Sequence, residues 1–533
     1  MASPSLTDIS NHADRSILTL SADQIRQQIV QGSLSAAEIV DVYMRRIREV
    51  QPAINAITVD CFESARQQAQ QLDNQVRSGQ IESQHLPLLG VPVTIKEAFA
   101  VHGTPATMGL VSRATERAAT DGPLVTALRN AGAIVLAKTN VSQLMFFHET
   151  DNPLYGRTNN PWDLQRTCGG STGGEAALIA AFGSLLGLGS DLGGSIRVPA
   201  HFCGIHGLKP TNRRFTRTDS VANLRGMTGM EFQPGPLARC VDDLQTMCEV
   251  LATASAPDQI PAPFPDSRNI DVSRLRIGIW RQDDLFPVSS PVQLAVENAA
   301  NALQQVGAEI VEFAMPKVRT MVQTYLGLMS ADGGRDLRQL LGRDPADQRI
   351  RHLLRIGRIP SFVRPGISAA LRMMGQPNLA FLLQATGAIN ASEFWRLNFQ
   401  REECASEVRQ LWQRMKLDAL ICPVHAVPAF PHGDSVDLVL AAIYSFVFNL
   451  IGFPAGSVAM VRSPATEQHD GPQAEPQIAK RGRWDVVVKK TERAARTSSH
   501  LPVGVQVVAK PWREDVVLSV MRYLAQSSSN SRN

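Results

Sequence analysis

The sequence predicts an α/β protein, in which one large domain holds a mixed, mostly parallel central sheet covered by helices on both faces. Three observations lead to this fold class. Short apolar runs alternate with helical segments from about residue 85 to 525, no linker interrupts them, and no internal repeat is present. A chain of 533 residues could hold about three domains by length alone, but the uninterrupted alternation indicates a single core.

Helical signals open the chain. Ser21 and Ser35 each precede a Gln or a Glu by three positions, which is the pattern of a capping box at a helix N-terminus. A third helix is predicted over residues 61–76, a segment rich in Gln and Ala. We therefore expect residues 1–84 to form a helical wrap around an α/β domain of residues 85–525.

Apolar runs and their periodicity place the elements of the α/β domain. Strands are predicted over residues 88–95, 133–137, 275–280, 309–313, 417–422 and 503–508, and helices over residues 124–131, 176–188 and 292–306. The apolar stretch of residues 438–453 is too short to cross a membrane and predicts a buried core helix. Residues 463–500 are polar and irregular in pattern, which indicates a surface insertion.

The composition argues against several classes of protein. The formal net charge is only +4 and aromatic residues make up 6% of the chain, so no nucleic-acid partner is expected. The 7 Cys are scattered and form no Cys-x-x-Cys pair, so we expect neither a disulfide framework nor a metal site, and no cofactor. The first residues are polar and contain no signal peptide or anchor helix, which favours a cytoplasmic location.

Two glycine-rich segments carry the candidate nucleophiles. Residues 168–175 surround Ser171 with four glycines, and residues 189–197 place Ser195 after two more. Glycine lets the backbone approach a ligand closely, and successive N–H groups in such a turn form an anion-binding nest. An enzyme that transfers acyl groups needs such donors beside its nucleophile, to hold the oxyanion of a tetrahedral intermediate.

A serine nucleophile also needs a base. His201 and His206 follow Ser195 closely in the sequence, but the histidines form no convincing triad. Residues 169–173 match Gly-x-Ser-x-Gly, yet residues 162–168 before them do not have the pattern of a strand, so the context of a nucleophile elbow is missing. Lys96 ends a buried apolar run, where loss of water would lower its pKa enough for it to act as the base.

These motifs, in this order, resemble the amidase-signature family. The pattern comprises Gly-Val-Pro before Lys96, the Gly-Gly-Ser-Thr-Gly-Gly-Glu segment around Ser171, and Gly-Gly-Ser-Ile-Arg around Ser195, and residues 203–210 continue it. Three motifs in register are far more specific than any one of them. The resemblance implies the amidase-signature fold and hydrolysis of carboxylic amide bonds by a serine hydrolase.

The resemblance also implies a role for each residue. Ser195 would attack the carbonyl carbon, and Ser171, held through a cis peptide bond, would relay its proton to neutral Lys96, the base. Glu97 stands where many family members have Asp, and Thr172 replaces a second Ser while keeping a hydroxyl. The implied oxyanion hole consists of the backbone N–H groups of Leu192, Gly193, Gly194 and Ser195.

Within the family, the resemblance is strongest to the fatty acid amide hydrolases, which implies fatty acid amides or N-acylethanolamines as substrates. Met145, Phe146 and Thr172 would bind the substrate. Residues 348–392 contain six arginines and no acidic residue among many apolar positions, which indicates a cap-like helical pair. Through residues 355–375 this cap would contact a membrane surface peripherally, or it would serve only as a lid.

Other functions stay open at this point. The same catalytic residues would serve an amidase for small amides or aryl acylamides, or the glutaminase subunit of a tRNA-dependent amidotransferase. A non-catalytic membrane-associated protein on an amidase scaffold is the alternative outside enzymes. A homodimer is also compatible with the sequence.

Overall fold

An eleven-stranded mixed sheet runs through the centre of the protein, with helices on both of its faces. The computed structural model describes residues 6–9, 11–80, 85–218, 220–221, 226–259, 262–464 and 485–530. The predicted α/β class and its single large core are confirmed.

Fifteen strands are present in the described residues. They are β1 (Ile57–Asp60), β2 (Pro92–Lys96), β3 (Ile134–Thr139), β4 (Asp151–Asn152), β5 (Gly156–Arg157), β6 (Asn159–Asn160), β7 (Asp163–Thr167), β8 (Leu186–Asp191), β9 (His206–Lys209), β10 (Gln233–Ala238), β11 (Arg276–Ile279), β12 (Glu309–Glu312), β13 (Ala419–Pro423), β14 (Ala455–Arg462) and β15 (Pro502–Ala509). The large sheet has the order β1-β3-β2-β8-β10-β9-β14-β15-β13-β11-β12, and β4-β5 and β6-β7 form small hairpins.

Eighteen α-helices accompany them within the same described ranges. They are α1 (His12–Leu18), α2 (Ala22–Val30), α3 (Ala36–Ile54), α4 (Phe62–Arg77), α5 (Pro123–Asn130), α6 (Gly173–Ala180), α7 (Arg197–Cys203), α8 (Val241–Leu251), α9 (Ser290–Gln305), α10 (Val318–Met329), α11 (Arg335–Leu341), α12 (Gln348–Gly357), α13 (Arg364–Met373), α14 (Pro377–Ala385), α15 (Ala391–Arg414), α16 (Ile443–Ile451), α17 (Val486–Arg496) and α18 (Glu514–Asn530). Both predicted capping boxes are present, at the start of α2 and of α3.

The expectation of a mostly parallel sheet is wrong for its centre. Parallel pairs join β2 to β3 and to β8, and join β11 to β12 and to β13. Every pair from β8 through β10, β9, β14 and β15 to β13 is antiparallel. A strand buried on both faces has the same apolar pattern in either direction, so its sequence does not reveal how its neighbours run.

Three local predictions also need correction. The helix predicted over residues 176–188 ends at Ala180, and the rest of that apolar run turns into β8. Residues 162–168, which lacked a strand pattern, contain β7, although β7 forms a small hairpin with β6 outside the central sheet. In the predicted insertion of residues 463–500, α17 packs Val487 and Ala494 into the core, while residues 465–484 lie outside the described residues.

The predicted cap of residues 348–392 contains three helices, α12 to α14, rather than a pair. Its arginines do not all face solvent. Arg349 ion-pairs with acidic residues of the body, and Arg364 is bound to the Ile359 and Thr386 carbonyl groups, so both are buried. The burial of Arg349 could not be predicted from residues 348–392, because its acidic partners lie outside that segment or at its edge.

The surface of the cap nevertheless carries large apolar side chains. Phe362 is 83% exposed, Met373 88% and Met374 70%. Among the helices that the structure describes, none combines the length and the apolar character needed to cross a membrane.

Candidate active site

The candidate catalytic residues meet at the carboxyl ends of two neighbouring strands. Lys96 is the last residue of β2, and Asp191 is the last residue of β8. Because β2 and β8 are adjacent and parallel, these two ends lie at the same edge of the sheet. Ser171 precedes α6, and Ser195 lies in the turn from β8 to α7.

Lys96 is fully buried among hydroxyl groups. Its Nζ lies 2.8 Å from Ser171 Oγ, 3.0 Å from Thr172 Oγ1 and 3.0 Å from Ser190 Oγ. Burial lowers the pKa of Lys96 to about 7, although nearby carboxylates, above all Asp191, oppose the shift. A substantial fraction of this amine is therefore neutral at neutral pH and able to accept a proton.

The two serines differ in their exposure. Ser171 is buried beside Lys96, whereas Ser195 is partly exposed to the cavity that both line. The backbone N–H of Thr172 donates to the Ser195 carbonyl at 3.2 Å, which holds the two glycine-rich segments together. The peptide bond between Gly170 and Ser171 is cis, as the resemblance implies.

Side chains from outside the motifs hold the turn that carries Ser195. Tyr325 donates its hydroxyl to the Leu192 carbonyl at 3.3 Å, and His148 donates from Nε2 to the Gly193 carbonyl at 2.9 Å. A carbonyl and the N–H of the same peptide group point in opposite directions. The Leu192 contact therefore turns the Gly193 N–H away from Tyr325.

The four predicted oxyanion donors are not equivalent. The Gly194 N–H donates to Asp191 Oδ1 at 2.8 Å and is thereby occupied. Among the described residues, no such contact is observed for the N–H groups of the other three, Leu192, Gly193 and Ser195. Of the four predicted N–H groups, three thus have no acceptor among the described residues.

A buried ion pair lies beneath this turn. Asp191 Oδ2 is 3.0 Å from Arg197 Nε, and Asn449 donates to Asp191 Oδ1 at 2.9 Å. Burial acts to raise the pKa of Asp191, but the Arg197 charge and these hydrogen bonds bring it below its usual value. The carboxylate is therefore ionised and organises the turn through the Gly194 and Ile196 N–H groups.

A largely apolar cavity of about 430 Å³ connects the two serines with the cap. Met145 and Phe146 line it, at the positions where the sequence predicted substrate contacts. Thr172 does not line the cavity, because its hydroxyl faces Lys96. The cap side of the cavity wall is formed by Leu353, Ile356, Ile367 and Leu371.

Two residues of this site escaped the sequence analysis. His148 lies just after the predicted substrate residues, and burial lowers its pKa to about 4, so its ring is neutral. Tyr325 stacks on Phe446 with ring centroids 4.4 Å apart. For His148, adjacency to Met145 and Phe146 was a usable signal. Tyr325 lies 133 residues from its partner Leu192, and no local pattern marked it.

Comparison with known proteins identifies the family. The family model described as Amidase matches residues 38–518. Fatty-acid amide hydrolase 1 of Sus scrofa is 32% identical over 516 residues, which cover 95% of this chain and 85% of that protein. Fatty acid amide hydrolase 1 of Caenorhabditis elegans is 30% identical over 514 residues, which cover 95% of this chain and 87% of that protein.

Solved structures support the fold. A fatty acid amide hydrolase superimposes with a TM-score of 0.85 at 23% identity, covering 97% of this chain and 86% of that one. A bacterial aryl acylamidase superimposes with a TM-score of 0.72 at 20% identity, covering 96% of this chain and 97% of that one. At these identities the superpositions show a shared fold and leave the substrate open.

Proposed function

This chain belongs to the amidase family and is an amide-hydrolysing enzyme, and from this premise we propose that it cleaves fatty acid amides or N-acylethanolamines to a fatty acid and an amine. The observation that carries the proposal is the apolar cavity that runs from Ser195 to the cap. Relatives named fatty acid amide hydrolases, of which this chain covers 87% and 85%, support the same substrate class.

In the proposed mechanism Ser195 is the nucleophile and Lys96 is the base. As Ser195 Oγ attacks the carbonyl carbon, its proton passes to Ser171, and the Ser171 proton passes to neutral Lys96. The same relay then returns a proton to the departing amine, the C–N bond breaks, and an acyl-enzyme ester remains on Ser195. Water, deprotonated through the same relay, attacks this ester, and the relay returns the proton to Ser195 Oγ as the ester bond breaks and the fatty acid leaves.

The tetrahedral intermediates need donors for their oxyanion. We assign this role to the N–H groups of Leu192, Gly193 and Ser195, since the Gly194 N–H is bound to Asp191. Tyr325 orients the peptide group that carries the Gly193 N–H before the substrate arrives, and His148 holds the neighbouring Gly193–Gly194 peptide group. Such preorganised donors are worth about a hundredfold or more in rate for each one.

The exposed apolar residues of the cap support peripheral contact with a membrane. Phe362, Met373 and Met374 project from the segment that also carries Ile367 and Leu371 into the cavity. Exposed Arg355 and Arg358 on the same cap would favour anionic lipids. An amphiphilic amide could then pass from the lipid surface towards Ser195 without crossing bulk water.

Substrate competition tests the proposal. The purified chain is offered oleoyl amide, oleoyl ethanolamide, acetanilide and glutamine, and kcat/KM is measured for each. We expect the two oleoyl substrates to be hydrolysed with much higher kcat/KM than the two short ones. Turnover of acetanilide or glutamine without turnover of the oleoyl substrates would overturn the substrate assignment and leave amide hydrolysis intact.

A further inference from the structure

The loop of residues 143–149, which we call the acyl loop, forms one wall of the cavity in a strained conformation. Three of its non-glycine residues have left-handed backbone angles: Leu144 (φ 54°), Met145 (φ 58°) and Phe147 (φ 69°). Bulky L-amino acids seldom adopt this conformation, because Cβ crowds the backbone. Contacts elsewhere must therefore hold the acyl loop in place.

At its first end the acyl loop is tied to the chain that enters the cap. The Gln143 side chain is buried; its Nε2 donates to the Pro345 carbonyl at 2.8 Å, and its Oε1 accepts the Asp347 N–H at 2.8 Å. Asp347 is itself the N-cap of α12, where its side chain accepts the Ile350 N–H. One amide thus bridges the acyl loop and the first turn of α12.

At its second end the acyl loop is tied to the same turn of α12 by charge. Arg349 Nη1 lies 3.0 Å from Glu149 Oε2, and Arg349 Nη2 lies 2.9 Å from Asp151 Oδ2 and 3.3 Å from Asp347 Oδ2. Only 9% of the Arg349 side chain and 1% of the Glu149 side chain is exposed. Ion pairs this deep are poorly screened by solvent and depend on geometry.

Glu149 is anchored to the body as well. It lies 3.0 Å from His432 Nδ1 and accepts the Gly433 N–H and the Ser435 hydroxyl. Burial acts to raise the pKa of Glu149, but the His432 hydrogen bond and the Arg349 charge hold it below its usual value, so it stays ionised. Arg349 therefore joins α12 to a fixed point of the body.

These contacts determine where α12 lies. One and two turns beyond Arg349, the helix places Leu353 and Ile356 in the cavity wall, which Met145 and Phe146 of the acyl loop also line. Ile350 packs in a common apolar cluster with Leu144. Any movement of the first turn of α12 would thus displace the cavity-lining residues of α12 and of the acyl loop together.

We infer that Gln143 and Arg349 are positioning residues, which clamp α12 to the acyl loop and thereby set the enzyme's preference for long acyl chains. This inference rests on the proposed function. A long chain that reaches α12 gains apolar contacts from the clamped wall. A short chain that ends near Ser195 gains none, so its turnover is independent of the clamp.

Two variants and a matched control test the clamp. Arg349→Lys keeps the charge but loses the planar fork that reaches three carboxylates. Gln143→Met keeps the approximate shape of the side chain and removes its hydrogen bonds to Pro345 and Asp347. This variant still tests the inference if Arg349→Lys fails to fold. Arg351→Lys makes the same substitution at an exposed position of α12 and is the control.

Kinetics are measured with p-nitroanilides of butanoic, octanoic, dodecanoic and hexadecanoic acid. Both clamp variants should raise KM for the longest substrates about tenfold, the effect of losing contact with about two methylene groups. KM for the butanoyl substrate and kcat for all substrates should stay as in the wild type and in Arg351→Lys. An equal loss on short and long substrates, or no loss on either, would overturn the inference.

Hydrogen exchange separates this inference from the proposed function. In both variants the amides of α12 and of residues 143–149 should exchange faster, and in Arg351→Lys they should not. Unchanged hydrogen exchange in α12 would overturn the inference that Gln143 and Arg349 hold this helix, whatever the substrate is. If the wild type fails to turn over the hexadecanoyl substrate, the substrate assignment and the inferred role in chain-length preference both fail, while the exchange rates still decide whether the clamp holds the helix.

Discussion

The amine nitrogen of Lys96 lies 2.8 Å from the hydroxyl oxygen of Ser171, and both side chains are almost completely buried. Burial lowers the pKa of Lys96 to about 7. A base must be unprotonated to accept a proton, and the neutral fraction of an amine rises as the pH rises through its pKa.

We therefore expect kcat/KM to rise with pH, with a midpoint near pH 7, and then to level off. The measurement is a pH profile on a short soluble amide whose own ionisation does not change in this range. Lys96→Met should lower kcat/KM by a factor on the order of 10² to 10⁴ and abolish the rise. A profile for the wild type that falls from acidic to neutral pH would contradict neutral Lys96 as the base.

Ser195 is expected to be the residue that carries the acyl group. A fluorophosphonate probe should label the wild type and fail to label Ser195→Ala, because the probe reacts with an activated serine hydroxyl. Ser171→Ala should still label, about a hundredfold more slowly, since only the relay is lost. Ser64→Ala, at an exposed position of α4, is the control. Intact-mass measurement after incubation gives the result, and an adduct on Ser195→Ala would exclude this nucleophile.

The close approach of Gly193 to Tyr325 can be tested by a double variant. A Cβ atom on Gly193 would lie 2.2 Å from the Tyr325 hydroxyl oxygen and 3.4 Å from the ring carbon that bears it. Gly193→Ala should therefore lose most activity, and adding Tyr325→Phe should restore part of it by removing the clash. Thermal unfolding and kcat on a short amide are measured for both. If kcat of the double variant is no higher than kcat of Gly193→Ala, the clash with Tyr325 is not the cause of the loss.

The Asp191–Arg197 ion pair should matter for stability as well as for the turn. Both side chains are fully buried, so removing one charge leaves the other unpaired in the core. We expect Arg197→Met to lower the free energy of unfolding by about 3–5 kcal/mol. The half-exposed pair of Arg66 and Asp41 is the control, and Arg66→Met should cost at most about 1 kcal/mol. Urea denaturation followed by circular dichroism gives the free energy of unfolding of both variants. Equal losses in the two variants would contradict a stabilising role for the buried ion pair.

Short-range features were the most predictable from the sequence. The capping boxes at Ser21 and Ser35 are correct because their hydrogen bonds join residues three positions apart. The strand that ends at Lys96 was also located, since a buried strand needs an unbroken apolar run. Residues 176–188 were misassigned after Ala180, because an apolar run of small residues fits a core helix and a buried strand equally well.

The sequence by itself determined the fold class of this protein and pointed to the reacting groups that we propose, because motif order and glycine content are properties of the chain. Only the tertiary structure decided what surrounds those groups. Tyr325 reaches Leu192 across 133 residues, and Gln143 reaches Pro345 across 202. The lowered pKa of Lys96 likewise follows from burial by distant segments. Such contacts depend on how whole elements pack, and no local pattern of residues encodes which distant side chain will fill a given space.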